Sequence, residues 1–219
     1  MSLAIDSFLT INAPSEGEYK EKGSKFLAYA YPMSNESDLE NFISTLKDTH
    51  PKARHHCYAY KIGMDNNRFR TNDDGEPSGT AGKPILGQIQ SFRLTNVCII
   101  VIRYFGGTKL GASGLIHAYK EAARYSLENA ELVEKFLFVT YHLEFGYEDM
   151  GHILNVIKDL DIEISEKVFD ANCEVKIQLR LSEEYTTMLQ LKARLLYKSL
   201  EEVNYETVIP FCKVNKLSK

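Results

Sequence analysis

Polar and apolar positions along this 219-residue chain change period several times, and each change predicts an element. The first twenty or so residues alternate weakly and predict an edge strand. Residues 25–33 (KFLAYAYPM) alternate with aromatics, as a strand does. Ser37 and Asp38 are helix-start residues, and Leu39, Phe42, Ile43 and Leu46 repeat at helical spacing up to His50 and Pro51. Residues 55–62 return to alternation, with residues 66–70 as a hairpin partner across Gly63, Met64 and Asp65. Residues 84–92 predict a helix lying over the sheet. The unbroken apolar run in residues 96–104 predicts a buried central strand. After Gly111, a helix carries Leu115, Ile116, Tyr119, Ala122, Ala123, Leu127 and Ala130 on one face. Ser113, His117, Lys120 and Arg124 share another, basic face of it.

A second set of elements begins near Lys135. Residues 136–144 predict a strand, and residues 148–160 a helix with Ile153, Leu154, Val156 and Ile157 inward. Residues 162–169 and 173–181 predict two strands separated by Asp170, Ala171 and Asn172. Ser182 can cap a helix that turns Tyr185, Met188, Leu191 and Leu195 inward, and residues 206–214 predict the last strand. The order βαββαβ is that of a ferredoxin-like domain. The expectation is therefore an α+β protein of two domains, residues 1–133 and 134–219, joined near residues 131–135 without a low-complexity linker.

Charge changes this picture by locating a candidate site. The net charge of −4 argues against a general polyanion clamp. Residues 52–124, however, carry eleven basic and five acidic side chains, a net of +6. The four cysteines, Cys57, Cys98, Cys173 and Cys212, are scattered and form no CxxC pair, which suits a reducing cytoplasm. The longest clean apolar run, residues 97–102, is too short to span a bilayer, and the first ten residues lack a signal-peptide pattern. A cytoplasmic location without membrane partners is expected.

Eight of the thirteen glycines fall between Gly75 and Gly114, in two clusters flanking the central strand. Glycine permits tight turns and close backbone approach, and the helix start after the second cluster offers unpaired N–H groups to an anion. The first cluster, DDGEPSGTAGKPIL, is not a Walker loop: Pro77 replaces the first glycine and Pro84 the residue after Lys83. Asp73, Asp74 and Glu76 in it are candidates for Mg²⁺ ligation, for ion pairing with Lys or Arg, or for turn chemistry. The second cluster, RYFGGTKLGASGLIHAY, is not a Rossmann fingerprint. His55 and Cys57 share a strand face, with His56 opposite. They offer either two metal ligands without a third, an activated thiol, or a buried structural cysteine. No cofactor motif is complete, and no cofactor is expected.

Taken together, residues 55–60 (HHCYAY), 73–86 and 103–119 resemble the IMPACT family in its bacterial YigZ-type, two-domain form. The resemblance implies a first domain like that of a small-subunit ribosomal protein and of domain IV of elongation factor G. It implies a ferredoxin-like second domain like domain V of that factor. Eukaryotic relatives regulate translation under amino-acid starvation by binding the activator of a kinase, and carry an additional amino-terminal RWD domain that this sequence is not expected to include.

The expectation is a binding or regulatory protein of translation or stress, without catalytic residues. Its groove would lie between the glycine clusters, with Arg103, Lys109 and His117 on a phosphate of RNA or nucleotide. Gly106, Gly107 and Gly111 would allow close approach. Partners would be RNA, the ribosome, or a protein of translation control. The alternatives are a metal-dependent enzyme acting on a phosphorylated small molecule, and a protein-interaction module.

Overall fold

The strand Val97–Tyr104 organises the first half of the chain in the computed structural model, which describes residues 6–64 and 68–217. Its side chains from Val97 to Arg103 are all buried, because both neighbours and both faces are covered. In chain order the elements around it are β1 (Ser7–Ile11), β2 (Ser15–Glu21), β3 (Ser24–Pro32), α1 (Asp38–Thr49), β4 (His55–Ile62), β5 (Arg68–Asn72), α2 (Gly82–Ser91), β6 (Val97–Tyr104), α3 (Gly111–Glu128) and β7 (Leu132–Phe136). Five strands form an antiparallel sheet in the order β2-β3-β6-β4-β5, and β1 pairs with β7.

Strand alternation sorts this sheet into two cores. Cys57, Ala59, Val97, Ile99 and Val101 face α2 and α3, where Ile85, Ile89, Leu115, Tyr119 and Leu127 meet them. Tyr58, Tyr60, Cys98, Ile100 and Ile102 face α1, meeting Leu39 and Leu46. Burying one such aliphatic side chain contributes about 1.5–3 kcal/mol, so the two-sided sheet is the main source of this domain's stability. At Gly17 a Cβ would lie 2.3 Å from the Ser126 backbone nitrogen, so only glycine lets β2 touch α3.

The second half forms its own unit. Its elements are β8 (Phe138–Phe145), α4 (Met150–Asp159), β9 (Glu163–Phe169), β10 (Cys173–Arg180), α5 (Glu184–Leu195), a 3-10 turn (Leu200–Glu202) and β11 (Cys212–Lys216). The antiparallel sheet has the order β11-β8-β10-β9, the ferredoxin-like arrangement of a βαββαβ chain. Tyr141, Leu143, Val175, Ile177 and Leu179 form one core with Ile153, Ile157, Met188, Leu191 and Leu195 from the helices. The chain divides into two compact units between Lys135 and Phe136, with Asp6 and Ser7 in the second. Asp6 belongs there through its carboxylate, which accepts hydrogen bonds from Arg180 Nε at 2.7 Å and from the Ser182 backbone at 3.1 Å.

Several local expectations change. Ile116 and Tyr185 are exposed, because the buried stripe of α3 runs through Ala118 and Ser126 instead, and that of α5 begins at Met188. No side chain caps α5, and Ser182 uses its N–H on Asp6. The last strand is shorter and later than residues 206–214: a turn occupies the stretch before Cys212, with Pro210 lacking a ladder donor and Val208 exposed. The hairpin after β4 pairs Ile62 with Arg68, while Asp65, Asn66 and Asn67 lie outside the described residues.

Candidate functional site

Three pieces of sequence converge at one end of the sheet. The antiparallel register places His55 of β4 opposite Arg103 of β6. Both point to the face that α2 and α3 cover, and the loop between β5 and α2, residues 73–81, lies against them. Arg103 Nη1 donates to Glu76 Oε1 at 2.6 Å, with 8% and 4% of the two side chains exposed. Tyr119 of α3 donates to the same oxygen at 2.9 Å, and His55 Nε2 stands 4.0 Å from it. The Cys57 sulfur lies 3.0 Å from the Asp73 carbonyl, which accepts a hydrogen bond from the thiol, and 3.3 Å from the Tyr119 hydroxyl. Burial raises the Cys57 thiol well above its ordinary range, reinforced by the negative charges of Glu76, Asp74 and Asp73. It raises Tyr119 likewise. Cys57 is thus held as a neutral thiol, a structural part of the cluster.

The acidic trio is engaged residue by residue. The α2 start has no capping side chain of its own. Asp73 supplies one from outside: its carboxylate accepts the N–H groups of Gly79, Ala81 and Gly82 at 2.8–2.9 Å. Burial works against that charge, yet the three N–H bonds win and hold its carboxyl below the usual value. Asp74 Oδ2 accepts the His56 N–H at 2.6 Å, and the Asp74 carbonyl meets His55 Nδ1 at 2.8 Å. Glu76 holds Arg103. Among the described residues no group of three or more His, Cys, Asp or Glu is placed to hold a metal ion.

Replacing Asp73 with Ala should leave three N–H groups without an acceptor and cost about 2–4 kcal/mol, read as a lower urea midpoint. The pH sign follows from the depressed folded value. The stabilisation is present above the unfolded carboxylate value, about 3.9, and disappears as pH falls through the lower folded one. Wild type should therefore lose more stability than Asp73→Ala on acidification below about pH 4.

The other predicted residues lie outside this hydrogen-bonded cluster. Gly106 packs its backbone against Gly23, and its N–H donates to Ser24 Oγ at 3.1 Å. Gly107 and Gly111 have φ of +87° and +70°, with open space where a Cβ would lie. Lys109 is exposed, and no side chain caps α3. His117 is exposed and packs edge-on to Tyr19 at 5.6 Å, while Arg124 is taken by Glu121 and Glu128. No hydrogen bond or ion pair among the described residues joins Lys109 or His117 to Arg103.

Beside Arg103 instead lies a surface depression of about 320 Å³ lined by Lys52, Arg54, His55, Arg103, Tyr104 and Phe105. The ladder ends at His55 and Arg103, and the turn before β4, where the Ala53 N–H donates to the His50 carbonyl at 3.0 Å, leaves Lys52 and Arg54 in the same depression as Tyr104 and Phe105. Lys52 and Arg54 are exposed and form no ion pair among the described residues. Phe105 is 59% exposed, and the Arg103 guanidinium lies 5.5 Å from its ring centre and 5.5 Å from that of Phe26. Sequence reasoning missed Lys52, Arg54 and Phe105. The available signals were the start of the +6 segment at Lys52 and a phenylalanine stranded beside two glycines.

Comparison with known proteins gives the family. The family model of the Impact N-terminal domain matches residues 22–127, a span that holds every residue of the cluster and the depression. The IMPACT family member YvyE of Bacillus subtilis is 36% identical over 170 residues, 78% of this chain and 78% of that protein. YigZ of Escherichia coli, another member, is 29% identical over 87% of this chain and 93% of its own. A crystal structure described as that of a hypothetical protein superposes with a TM-score of 0.69 at 25% identity, covering 98% of this chain and 99% of the other. With the HHCYAY strand, both glycine clusters and the ferredoxin-like second unit in place, the chain belongs to the IMPACT family.

Proposed function

We propose that this protein is a non-catalytic RNA-binding regulator of translation whose site is the basic depression beside the two glycine clusters. One observation carries the reading: Lys52, Arg54, His55 and Arg103 line a single depression with the exposed ring of Phe105. Cations beside an aromatic platform form the pattern that holds single-stranded nucleic acid, the cations on phosphate and the ring under a base. The link to translation rests on the family, whose resemblance implies that role for its eukaryotic relatives. The acidic trio supports binding over Mg²⁺-dependent catalysis. Asp73 is spent on three N–H groups, Glu76 on Arg103, and Asp74 on the His56 backbone.

The test is titration of a labelled single-stranded RNA across a salt series, with Lys52→Ala/Arg54→Ala and Lys109→Ala/His117→Ala compared with wild type. The first double variant should weaken binding at least about tenfold. Its plot of log affinity against log salt should become shallower by about 0.7 for each phosphate that is no longer neutralised. The second double variant should change binding little. Equal binding by wild type and Lys52→Ala/Arg54→Ala would overturn the reading.

A further inference from the structure

We infer that the depression takes the phosphorylated end of a single-stranded RNA, one terminal nucleotide with its phosphomonoester among Lys52, Arg54 and His55 and its base on Phe105. The inference rests on the RNA-binding reading above and specifies which part of the strand enters.

Charge balance is the first argument. Arg103 is already neutralised by Glu76 at 2.6 Å, so its guanidinium positions the floor of the site without adding net charge. Lys52 and Arg54 are the uncompensated cations of the lining. A phosphodiester within a strand carries one negative charge, whereas a phosphomonoester carries about 1.5–2 at pH 7. Two free cations match the terminal group. Size is the second argument. A volume of about 320 Å³ lies at the small end of ligand clefts, roughly 300–1,000 Å³. It has room for one nucleotide, and one aromatic platform stacks one base. This depression has a single exposed ring, Phe105.

Arg103 supplies an independent mark. Its Nε–H is buried without a hydrogen-bond partner, in a side chain that is itself only 8% exposed and borders the depression. Buried donors are normally satisfied, and this one belongs to a side chain that lines the depression. The guanidinium is fixed by Glu76 and by the rings of Phe26 and Phe105, so the floor of the site is preorganised.

The test uses the full chain and one short single-stranded RNA sequence in three forms: 5′-phosphorylated, 3′-phosphorylated and hydroxyl-ended. Free AMP and inorganic phosphate serve as competitors. At least one phosphorylated form should bind about tenfold or more tightly than the hydroxyl form, a difference of about 1.4 kcal/mol. Lys52→Ala/Arg54→Ala should erase that preference. Phe105→Ala should weaken the phosphorylated RNA about tenfold while a preference for it over the hydroxyl form remains. Lys52 and Arg54 are exposed, so their double variant should keep the wild-type melting profile, while Phe105→Ala should lower it only by the loss of one cation–π contact with Arg103. If all three RNAs bind alike and Lys52→Ala/Arg54→Ala weakens them alike, the terminal-phosphate inference fails while the RNA-binding reading stands. If AMP binds as tightly as the phosphorylated RNA, the site belongs to a free nucleotide and the RNA-end assignment is overturned. If no RNA binds, both fall.

Discussion

Replacing Glu76 with Ala is expected to destabilise the first unit by about 3–5 kcal/mol, the largest loss of any single side chain in the site. Glu76 Oε1 accepts hydrogen bonds from Arg103 Nη1 and from the Tyr119 hydroxyl, and almost none of that side chain reaches solvent. Its removal would strand a guanidinium between Phe26 and Phe105 and leave the O–H of buried Tyr119 without its acceptor. A buried charge without its partner costs far more than the intact pair contributes. Glu76→Gln keeps an acceptor without the charge and should fall between wild type and Glu76→Ala. Glu76→Ala/Arg103→Met, which removes both charges and keeps apolar volume, should recover part of the loss. Urea midpoints across the four proteins check the order. A loss below about 1 kcal/mol for Glu76→Ala, the range of a solvated surface pair, would show that the cluster is hydrated and does not clasp the 73–81 loop to the sheet.

That clasp marks where sequence reasoning stops. The strand 55–62 and the helix from Gly111 were legible because their periods are long and clean. The central strand was legible because a run of apolar residues has to be covered on both faces. The four strands and two helices of the second unit were legible in type and order, and the ferredoxin-like topology followed from that order. The register was not legible. It is the pairing of His55 with Arg103 that brings residues 52–54 beside 104–105 and makes the depression. Nothing in a local pattern announces a cross-strand neighbour nearly fifty positions away.

The glycine clusters show the same limit differently. Their richness pointed to a ligand, and part of the actual demand is internal. Asp73 needs the N–H groups of Gly79 and Gly82 as donors for its carboxylate. The acidic trio looked like one metal-seeking group because its members are adjacent in sequence. The fold separates them by function, with Asp73 at the start of α2, Asp74 on β4 and Glu76 on Arg103. Lys109 and His117 were grouped with Arg103 on the same logic of proximity. Arg103 is taken up by Glu76, whereas His117 packs on Tyr19 and neither it nor Lys109 bonds to Arg103 among the described residues.

Gly106 is where an added methyl group should do the most damage. A Cβ there would lie 1.9 Å from the Gly23 carbonyl carbon, 2.1 Å from its oxygen and 2.2 Å from the Ser24 nitrogen. All three are backbone atoms, so no side-chain rotation relieves the clash. Ser24 is fully buried, and the turn before it already holds Lys22 and Gly23 at positive φ, so this turn has little freedom to retreat. Gly106→Ala should therefore cost at least the upper end of the roughly 1–3 kcal/mol typical of overpacking. It should also break the Gly106 N–H bond to Ser24. Gly107→Ala is the control: its φ of +87° strains any side chain, but no atom occupies the space. Its cost should stay near 1–2 kcal/mol. Because Phe105 precedes Gly106 directly, displacing this contact should also move the aromatic wall of the depression. Gly106→Ala should thus weaken RNA binding more than Gly107→Ala when both are measured below their unfolding transitions. Equal stability of the two variants would mean that the Gly23–Gly106 contact yields easily. The position of Phe105 would then have to be set by Arg103 alone, through the cation–π contact at 5.5 Å.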